Sequence, residues 1–133
     1  MSAGIMVSVS ISCPVFPSED QQKVKDAIAN IFPDASLERT EHGFEGEGSA
    51  DRFCNIIRRQ KILDSTRSMM FKGVRGGKIV LHLNKQVASV GKISFTEPKT
   101  ILGTITVTIE CGDPEMLIDQ MAPRTVDGEV VRN

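Results

Sequence analysis

Basic side chains are concentrated in the middle of this chain, and they are its strongest candidates for chemistry. Between positions 52 and 78 a single acid, Asp64, stands against eight lysines and arginines: Arg52, Arg58, Arg59, Lys61, Arg67, Lys72, Arg75 and Lys78. A guanidinium group binds phosphate oxygens in pairs, and a basic cluster attracts polyanions. The pattern therefore indicates a phosphate-binding surface. The alternative is an internal network, in which Arg67 pairs with Asp64 or an arginine holds a helix end.

The charge of the whole chain hides this concentration. The 133 residues carry a formal net charge of −1. Residues 50–99 contain 11 basic and 3 acidic side chains, whereas residues 1–49 contain 3 and 8, and residues 100–133 contain 2 and 6. A basic middle between acidic ends is typical of a protein with a polyanionic partner. If the fold instead mixes the three segments, the surface becomes a patchwork of both signs.

A glycine-rich stretch at residues 73–78, Gly-Val-Arg-Gly-Gly-Lys, invites comparison with a phosphate loop. That loop needs four residues between its first glycine and the Gly-Lys pair, followed by Ser or Thr. Here only three residues intervene, and Ile79 stands where the hydroxyl should be. We therefore expect a helix-to-strand turn, from which Arg75 and Lys78 could still reach phosphate.

Few residues of the sequence are candidates for catalysis or for metal binding. His42 lies among four glutamates, but their spacing favours an exposed acidic loop over a metal site. His82 falls inside a predicted strand with no identifiable partner for acid–base work. Cys54 lies near Arg52 and Arg58, whose charges would lower a thiol pKa, yet a structural cysteine is the better interpretation. The sequence predicts no catalytic residue, metal or cofactor, and a non-catalytic protein is favoured over an enzyme.

Aromatic residues limit how such a chain could bind RNA. Trp and Tyr are absent and the 6 Phe fall mostly in apolar stripes, so a base-stacking sheet has no platform. Any RNA binding would read backbone and shape more than base identity.

Composition is that of a globular protein. Apolar residues make up 40% and charged residues 25% of the chain, so we expect a single domain over residues 1–133. No apolar run approaches the ~20 residues of a membrane span, and the first residues lack a secretory leader. Cys13, Cys54 and Cys111 form no C-x-x-C pair and are typical of reduced thiols in the cytoplasm. Residues 122–133 are polar enough to fray.

Hydrophobic periodicity predicts the elements. Alternation predicts strands at residues 5–13, 79–84, 92–96 and 103–111, and two weak strands are expected at residues 35–40 and around 44, in a polar segment broken by glycines. Stripes of period 3.6 predict four helices, whose expected caps are Ser18, Ser49, Asp64 and Asp113. A further helical turn is expected within residues 85–91. Gln60 falls in the apolar stripe of the second helix, so its amide should bond to a neighbouring segment.

These elements predict an α+β fold, with helices on one face of a mostly antiparallel sheet. The opposite face is expected to be polar and to display Ser8, Ser10, Ser12, His82, Asn84, Lys92, Thr104, Thr106 and Thr108. We interpret this face as solvated surface. The alternative is contact with a partner or a second copy.

Three segments carry a resemblance to a known family. They are residues 17–33, residues 59–67 (beginning Arg-Gln-Lys-Ile-Leu-Asp) and residues 83–92 (beginning Leu-Asn-Lys-Gln-Val-Ala), the last followed by Leu102-Gly103. Over about Ile5 to Glu110 the chain resembles a small archaeal family of uncharacterised proteins described as RNA-binding. The fold of that family is similar to the ribosomal protein that holds 5S RNA on the large subunit.

The resemblance implies an archaeal cytoplasmic protein with an RNA partner and no established reaction. The polar motif positions that it carries over are Arg59, Gln60, Asp64, Arg67, Asn84, Lys85 and Gln86. The sequence departs from the family pattern at Ser65-Thr66, where Thr-Ala is expected, and at Val87, where Ala is expected. These departures look like packing changes.

Three hypotheses follow. The first is a non-catalytic protein that contacts the backbone of structured RNA, with ribosomal RNA as a candidate, through Arg58, Arg59, Lys61, Arg67, Lys72, Arg75, Lys78 and Lys85. The second is a small-ligand or nucleotide-binding protein or enzyme that uses the Asn84-Lys85-Gln86 turn with Arg67 and Asp64. The third is a structural protein that self-associates through its polar sheet face or an edge strand.

Overall fold

The computed structural model describes residues 8–97 and 100–126, and the backbone of residues 129–130. Its strands are β1 (Ser8–Pro14), β2 (Ser36–Arg39), β3 (Gly43–Ser49), β4 (Val74–Arg75), β5 (Lys78–Leu83), β6 (Ile105–Glu110), β7 (Thr125–Val126) and β8 (Glu129–Val130). Its helices are α1 (Gln21–Ile31), α2 (Asp51–Arg59), α3 (Leu63–Lys72), α4 (Lys85–Ala88) and α5 (Pro114–Met121).

Six of the strands form one sheet in the order β2-β3-β1-β6-β5-β4. Every neighbouring pair in it is antiparallel. The predicted α+β class with an antiparallel sheet is therefore confirmed. Residues 5–7 of the first predicted strand lie outside the described residues.

One face of the sheet is buried and the other is open. In β1 the side chains of Val9, Ile11 and Cys13 are buried, while the serines between them are exposed. The apolar stripes of the helices cover the buried face, because burial of both surfaces removes apolar area from water. Phe32 after α1 and Phe53 of α2 stack in this core, with ring centroids 6.2 Å apart.

Strand β3 is longer and more central than its sequence suggests. Its glycines make the segment look like a weak strand, yet a Cβ at Gly43 would collide with the carbonyl oxygen of Cys13 on β1. A Cβ at Gly46 would collide with the carbonyl oxygen of Ser36 on β2. Glycine is therefore required here because two neighbouring backbones approach closely.

Several helix caps differ from expectation. Asp20, rather than Ser18, caps α1 by accepting the N–H groups of residues 22 and 23. Ala50, rather than Ser49, precedes α2 and gives no side-chain cap. Asp64 lies in the first turn of α3 instead of capping it. Asp113 caps α5 and Pro114 opens it, as predicted.

Other parts of the predicted sheet need correction. The strand expected around Phe95 is reduced to one isolated bridge with Leu83. On the predicted polar face, Asn84 caps α4 instead, Lys92 lies in the following loop, and Thr104 is 4% exposed. Strand β4 was not expected.

The chain after α5 packs against the domain instead of fraying at once. Ala122 is fully buried, and Thr125 donates its hydroxyl to Asp64 at 2.7 Å. Residues 127–128 and 131–133 of the expected frayed tail lie outside the described residues. Within the described part of the chain, no helix is both long and apolar enough to cross a bilayer.

Candidate nucleic-acid interface

The basic middle segment folds into α2, α3 and the β4–β5 hairpin. Its exposed basic side chains are Arg52, Arg58, Arg59, Lys61, Lys72, Arg75 and Lys78. Arg67 is half-buried and Lys85, further along the chain, is buried. The structure therefore divides the predicted contact residues into an exposed set and an internal set.

A first exposed group lies where α2 ends. Arg58 and Arg59 occupy the last turn of the helix, where cations interact favourably with the helix dipole. Lys61 follows with a φ of 60°. Its N–H bonds to the carbonyl of Arg58 and the N–H of Ile62 bonds to the carbonyl of Ile57, which is a Schellman motif. Within the described residues, none of these three basic side chains forms an ion pair.

A second exposed group lies beyond the other end of α3. Arg75 donates to the backbone carbonyls of Lys72 and Val74, both at 2.8 Å, which leaves its charge unneutralised. Lys78 lies 3.8 Å from Glu110, and both side chains are largely exposed. Helix α3 has 10 residues, or a length of about 15 Å, so a ligand that contacts both groups must be extended.

Arg67 braces the helices and is not part of an exposed surface. It pairs with Asp119 of α5 at 2.7 Å and donates to the carbonyl of Ala122 at 3.2 Å. Its guanidinium carbon lies 5.2 Å from the ring centroid of Phe71. The internal network weighed from the sequence is therefore present, but its acid is Asp119 in place of Asp64.

Lys85 is the clearest correction to the predicted contact set. The side chain is 8% exposed, and its ammonium group donates to Pro14 O at 2.6 Å, Glu19 Oε1 at 2.9 Å and Leu102 O at 2.5 Å. An ammonium group has three N–H donors, and all three are used. We therefore exclude Lys85 from the interface.

The remaining polar motif residues serve the fold or lie on the surface. Gln60 donates to the carbonyl of Ile93 at 3.0 Å and accepts its N–H at 2.6 Å, which confirms the bond expected to a neighbouring segment. Asn84 accepts the N–H of Val87 and so caps α4. Gln86 is exposed.

The Asn84-Lys85-Gln86 turn lines a cleft of about 510 Å³ together with Glu19 and the loop before β6. The ligand hypothesis combined this turn with Arg67 and Asp64. Arg67 is bound to α5, and Asp64 lines a different cleft. The turn, Arg67 and Asp64 therefore do not line one common site, as the ligand hypothesis requires.

Burial disfavours the reactive thiolate form of the three cysteines. Burial raises the pKa of the Cys54 thiol to about 11 and outweighs the opposing charge of Arg58. Burial likewise raises the pKa of Cys13 to about 11. It lowers the pKa of His82, whose Nδ1 lies 3.2 Å from the hydroxyls of Thr104 and Thr106. Across the described ranges, no group of three or more His, Cys, Asp or Glu side chains is placed to hold a metal ion.

Sequence reasoning missed one residue of consequence, Glu19. Its side chain is 12% exposed, and its carboxylate pairs with Lys85 and also accepts the N–H of Phe16 at 3.1 Å. The two partners are 66 residues apart. The one signal in the sequence that could have connected them is that both lie in segments that carry the family resemblance.

The fold and surface define a small α+β domain with an exposed basic helical region, and family comparison agrees with this class. Residues 8–111 match the model of a protein family described as RNA binding. A UPF0201 protein from Sulfolobus acidocaldarius is 38% identical over 133 residues, and the match covers 92% of each chain. The chain therefore belongs to this RNA-binding family and groups with the archaeal UPF0201 proteins.

Two further relatives define the extent of the likeness. The crystal structure of a UPF0201 protein from Methanococcus jannaschii superposes with a TM-score of 0.85 at 35% identity, covering 95% of this chain and 100% of that one. A UPF0200/UPF0201 protein from Archaeoglobus fulgidus is 38% identical over 130 residues, covering 95% of this chain. The chain spans only 40% of that relative's length. The expected similarity to the 5S-RNA-binding ribosomal protein stays a prediction.

Proposed function

We propose that this protein is a non-catalytic, cytoplasmic RNA-binding protein that contacts the backbone of structured RNA. The contacts would come from six exposed side chains, which we call the basic helical surface: Arg58, Arg59, Lys61, Lys72, Arg75 and Lys78. The observation that carries the proposal is the group at the end of α2. Its three cations are exposed and have no ion-pair partner within the described residues.

Cations without an ion-pair partner are better explained by phosphate binding than by a structural role. Arg67, by contrast, braces the structure through an ion pair with Asp119 and a bond to the carbonyl of Ala122. Arg58 and Arg59 are exposed, so their guanidinium groups can each bind two phosphate oxygens. Release of counterions from RNA would supply most of the affinity.

The arrangement of the surface favours a folded RNA over a single phosphate group. Its two groups are separated by the ~15 Å length of α3, so one mononucleotide does not reach both. A rigid RNA presents phosphates at fixed spacings, and recognition would then depend on shape.

The first test measures RNA affinity at two salt concentrations. The ligands are a structured ribosomal RNA fragment and an unstructured single strand of equal length. We expect tighter binding of the structured RNA and a steep loss with salt, with a slope of roughly −0.7 to −0.9 per phosphate contact. Equal, weak binding of both RNAs at low salt would refute the proposal.

A pair of charge-reversal variants then locates the contacts. Arg58→Glu with Arg59→Glu should weaken binding of the structured RNA roughly tenfold or more at low salt, because two phosphate contacts become repulsive. The matched control is Lys23→Glu with Lys25→Glu, which makes the same change in net charge on the exposed face of α1. Equal losses in both variants would show that net charge alone attracts the RNA.

A further inference from the structure

A cleft of about 600 Å³ opens between helix α3 and the segment that follows α4. Its lining includes an apolar part, formed by Ile62, Met69 and Phe95, and a polar part, formed by Asp64, Ser68 and Ser94. Ligand sites in proteins commonly have this size and this mixture of apolar walls with a few polar groups.

The two walls of the cleft are fixed to each other by hydrogen bonds. Gln60, at the turn between α2 and α3, bonds to both the N–H and the carbonyl of Ile93. On the far side, Asn84 donates its backbone N–H to the carbonyl of Ser94 at 2.9 Å, and Leu83 forms a bridge with Phe95. The cleft is therefore preformed, and a ligand need not order it.

A lysine flanks each wall of the cleft in the sequence, whereas the lining itself holds one charged residue, Asp64. Lys61 immediately precedes Ile62 on one wall, and Lys92 immediately precedes Ile93 on the other; both lysines are exposed. Lys61 is also a member of the basic helical surface. The cleft is thus continuous along the chain with the residues proposed to bind RNA phosphates.

Asp64 gives the cleft a specific chemical preference. Its Oδ1 accepts the Thr125 hydroxyl at 2.7 Å, and its Oδ2 accepts no hydrogen bond from the described residues. A carboxylate accepts two parallel N–H donors. Among the RNA bases, only guanine presents two adjacent N–H donors, N1–H and the N2 amino group, on its Watson–Crick edge.

We propose that this cleft binds one unpaired guanine of the RNA, and this inference rests on the proposed function. The base would contact Phe95 and Met69 with its faces and present its Watson–Crick edge to Asp64. The phosphates on either side would lie near Lys61 and Lys92. The protein would then read one base in addition to RNA shape, through a pocket on the helical side and without the stacking platform of an open sheet.

The test uses one hairpin RNA with a uridine loop, in which a single loop position carries guanine, adenine, cytosine or no base. We expect the guanine hairpin to bind roughly tenfold more tightly than the others, as for a good bidentate base contact. In Asp64→Asn this preference should disappear, because an amide cannot accept two donors side by side.

The matched control is Asp51→Asn, which removes one exposed acid of the same basic segment outside the cleft. Both variants lose one negative charge. If Asp64 acts only through its charge, both variants bind every hairpin slightly more tightly and guanine preference does not change, which overturns the inference. Thr125→Val removes the hydroxyl that donates to Asp64 Oδ1. This variant should keep the preference for guanine.

A second variant covers the case in which Asp64→Asn does not fold. Ser68→Leu fills the cleft from the exposed side of α3 and should reduce binding of the guanine hairpin to the level of the baseless one. Gln120→Leu, on the exposed side of α5, is its control. Equal, salt-sensitive binding of all four hairpins by the wild type overturns the guanine site and leaves the proposed function standing. No binding at low salt removes both.

Discussion

Lys85 and Lys61 both lie in the segments that carry the family resemblance, but the structure uses them in opposite ways. The ammonium group of Lys85 is buried beside Glu19 and has three protein acceptors. Lys61 is exposed, has no ion-pair partner within the described residues, and holds a backbone conformation that glycine would prefer. The fold depends on the first charge and gains nothing visible from the second.

This difference separates structural cations from candidate binding cations. A charge that is desolvated must be paired and hydrogen-bonded, so a buried cation reports on stability. A charge that remains in water without an ion-pair partner has no such role and is available to bind a ligand. Four predictions test this comparison, beginning with the largest effect.

Replacing Lys85 should be the most damaging change. Lys85→Met removes the cationic partner of the Glu19 carboxylate, which keeps only the N–H of Phe16, and it takes a donor from two carbonyls. It should lower the free energy of unfolding by about 3–5 kcal/mol. Urea denaturation measures this loss. Lys92→Met, on an exposed loop, should change stability by less than about 0.5 kcal/mol. Adding Glu19→Leu to Lys85→Met should recover part of the loss. If Lys85→Met is no less stable than the Lys92→Met control, Lys85 has no structural role and the comparison with Lys61 fails.

Replacing Gln60, at the turn between α2 and α3, should cause a smaller loss of stability of the same kind. Gln60→Met leaves the N–H and carbonyl of Ile93, a residue that is 3% exposed, without their partners. The expected loss of unfolding free energy is about 1–3 kcal/mol. Gln22→Met, which loses only an exposed bond to Asp26, is the control. Indistinguishable melting of the two variants would contradict a structural role for Gln60.

At Lys61, stability and binding should move in opposite directions. Lys61→Gly relieves the positive φ and should raise the free energy of unfolding by about 1 kcal/mol, while it weakens RNA binding by removal of a cation. Lys61→Ala removes the same charge but keeps the strain, so it should weaken binding without the gain in stability. If the glycine variant is more stable and binds RNA as well as the wild type, Lys61 is not part of the interface.

His82 should produce the smallest effect, on the open face of the sheet. Burial lowers its pKa below the ordinary value of 6.5, so the unfolded chain takes up a proton more readily than the folded one. This contribution to stability is therefore present above pH 6.5 and is lost as the pH falls through the lowered pKa. Thermal melts at pH 7.5 and 5.0 should show a smaller difference for His82→Gln than for the wild type, whereas coincident differences would assign the pH dependence to other groups.

The elements of the fold were largely readable from the sequence because they depend on local patterns. Alternation in β1 and β6 and the apolar stripes of the helices are properties of neighbouring residues. The full extent of β3 could not be predicted, because its glycines are required by the close approach of the β1 and β2 backbones, which the sequence does not show. The caps shifted by one or two residues: at α1, Ser18 and Asp20 compete for the cap position, whereas α2 and α3 begin without a side-chain cap.

For the candidate site, only the segment that is rich in basic residues could be predicted from the sequence. The sequence locates the basic segment, but it does not separate Arg58, which stays exposed, from Arg67, whose acid is Asp119 on a distant helix. The same holds for Lys85 and Glu19. Burial and pairing across long separations are products of the topology, so one sequence cannot assign them.

The strand order has a consequence for how the chain folds. The half-sheet β2-β3-β1 comes from residues 8–49 and the half-sheet β6-β5-β4 from residues 74–110. They join only through the pairing of β1 with β6, two strands at opposite ends of this region. Such distant pairing slows folding. On the ribosome, β1 would wait with one edge open until residues 105–110 emerge, so the sheet closes late and the early half-sheet is the species most exposed to mispairing.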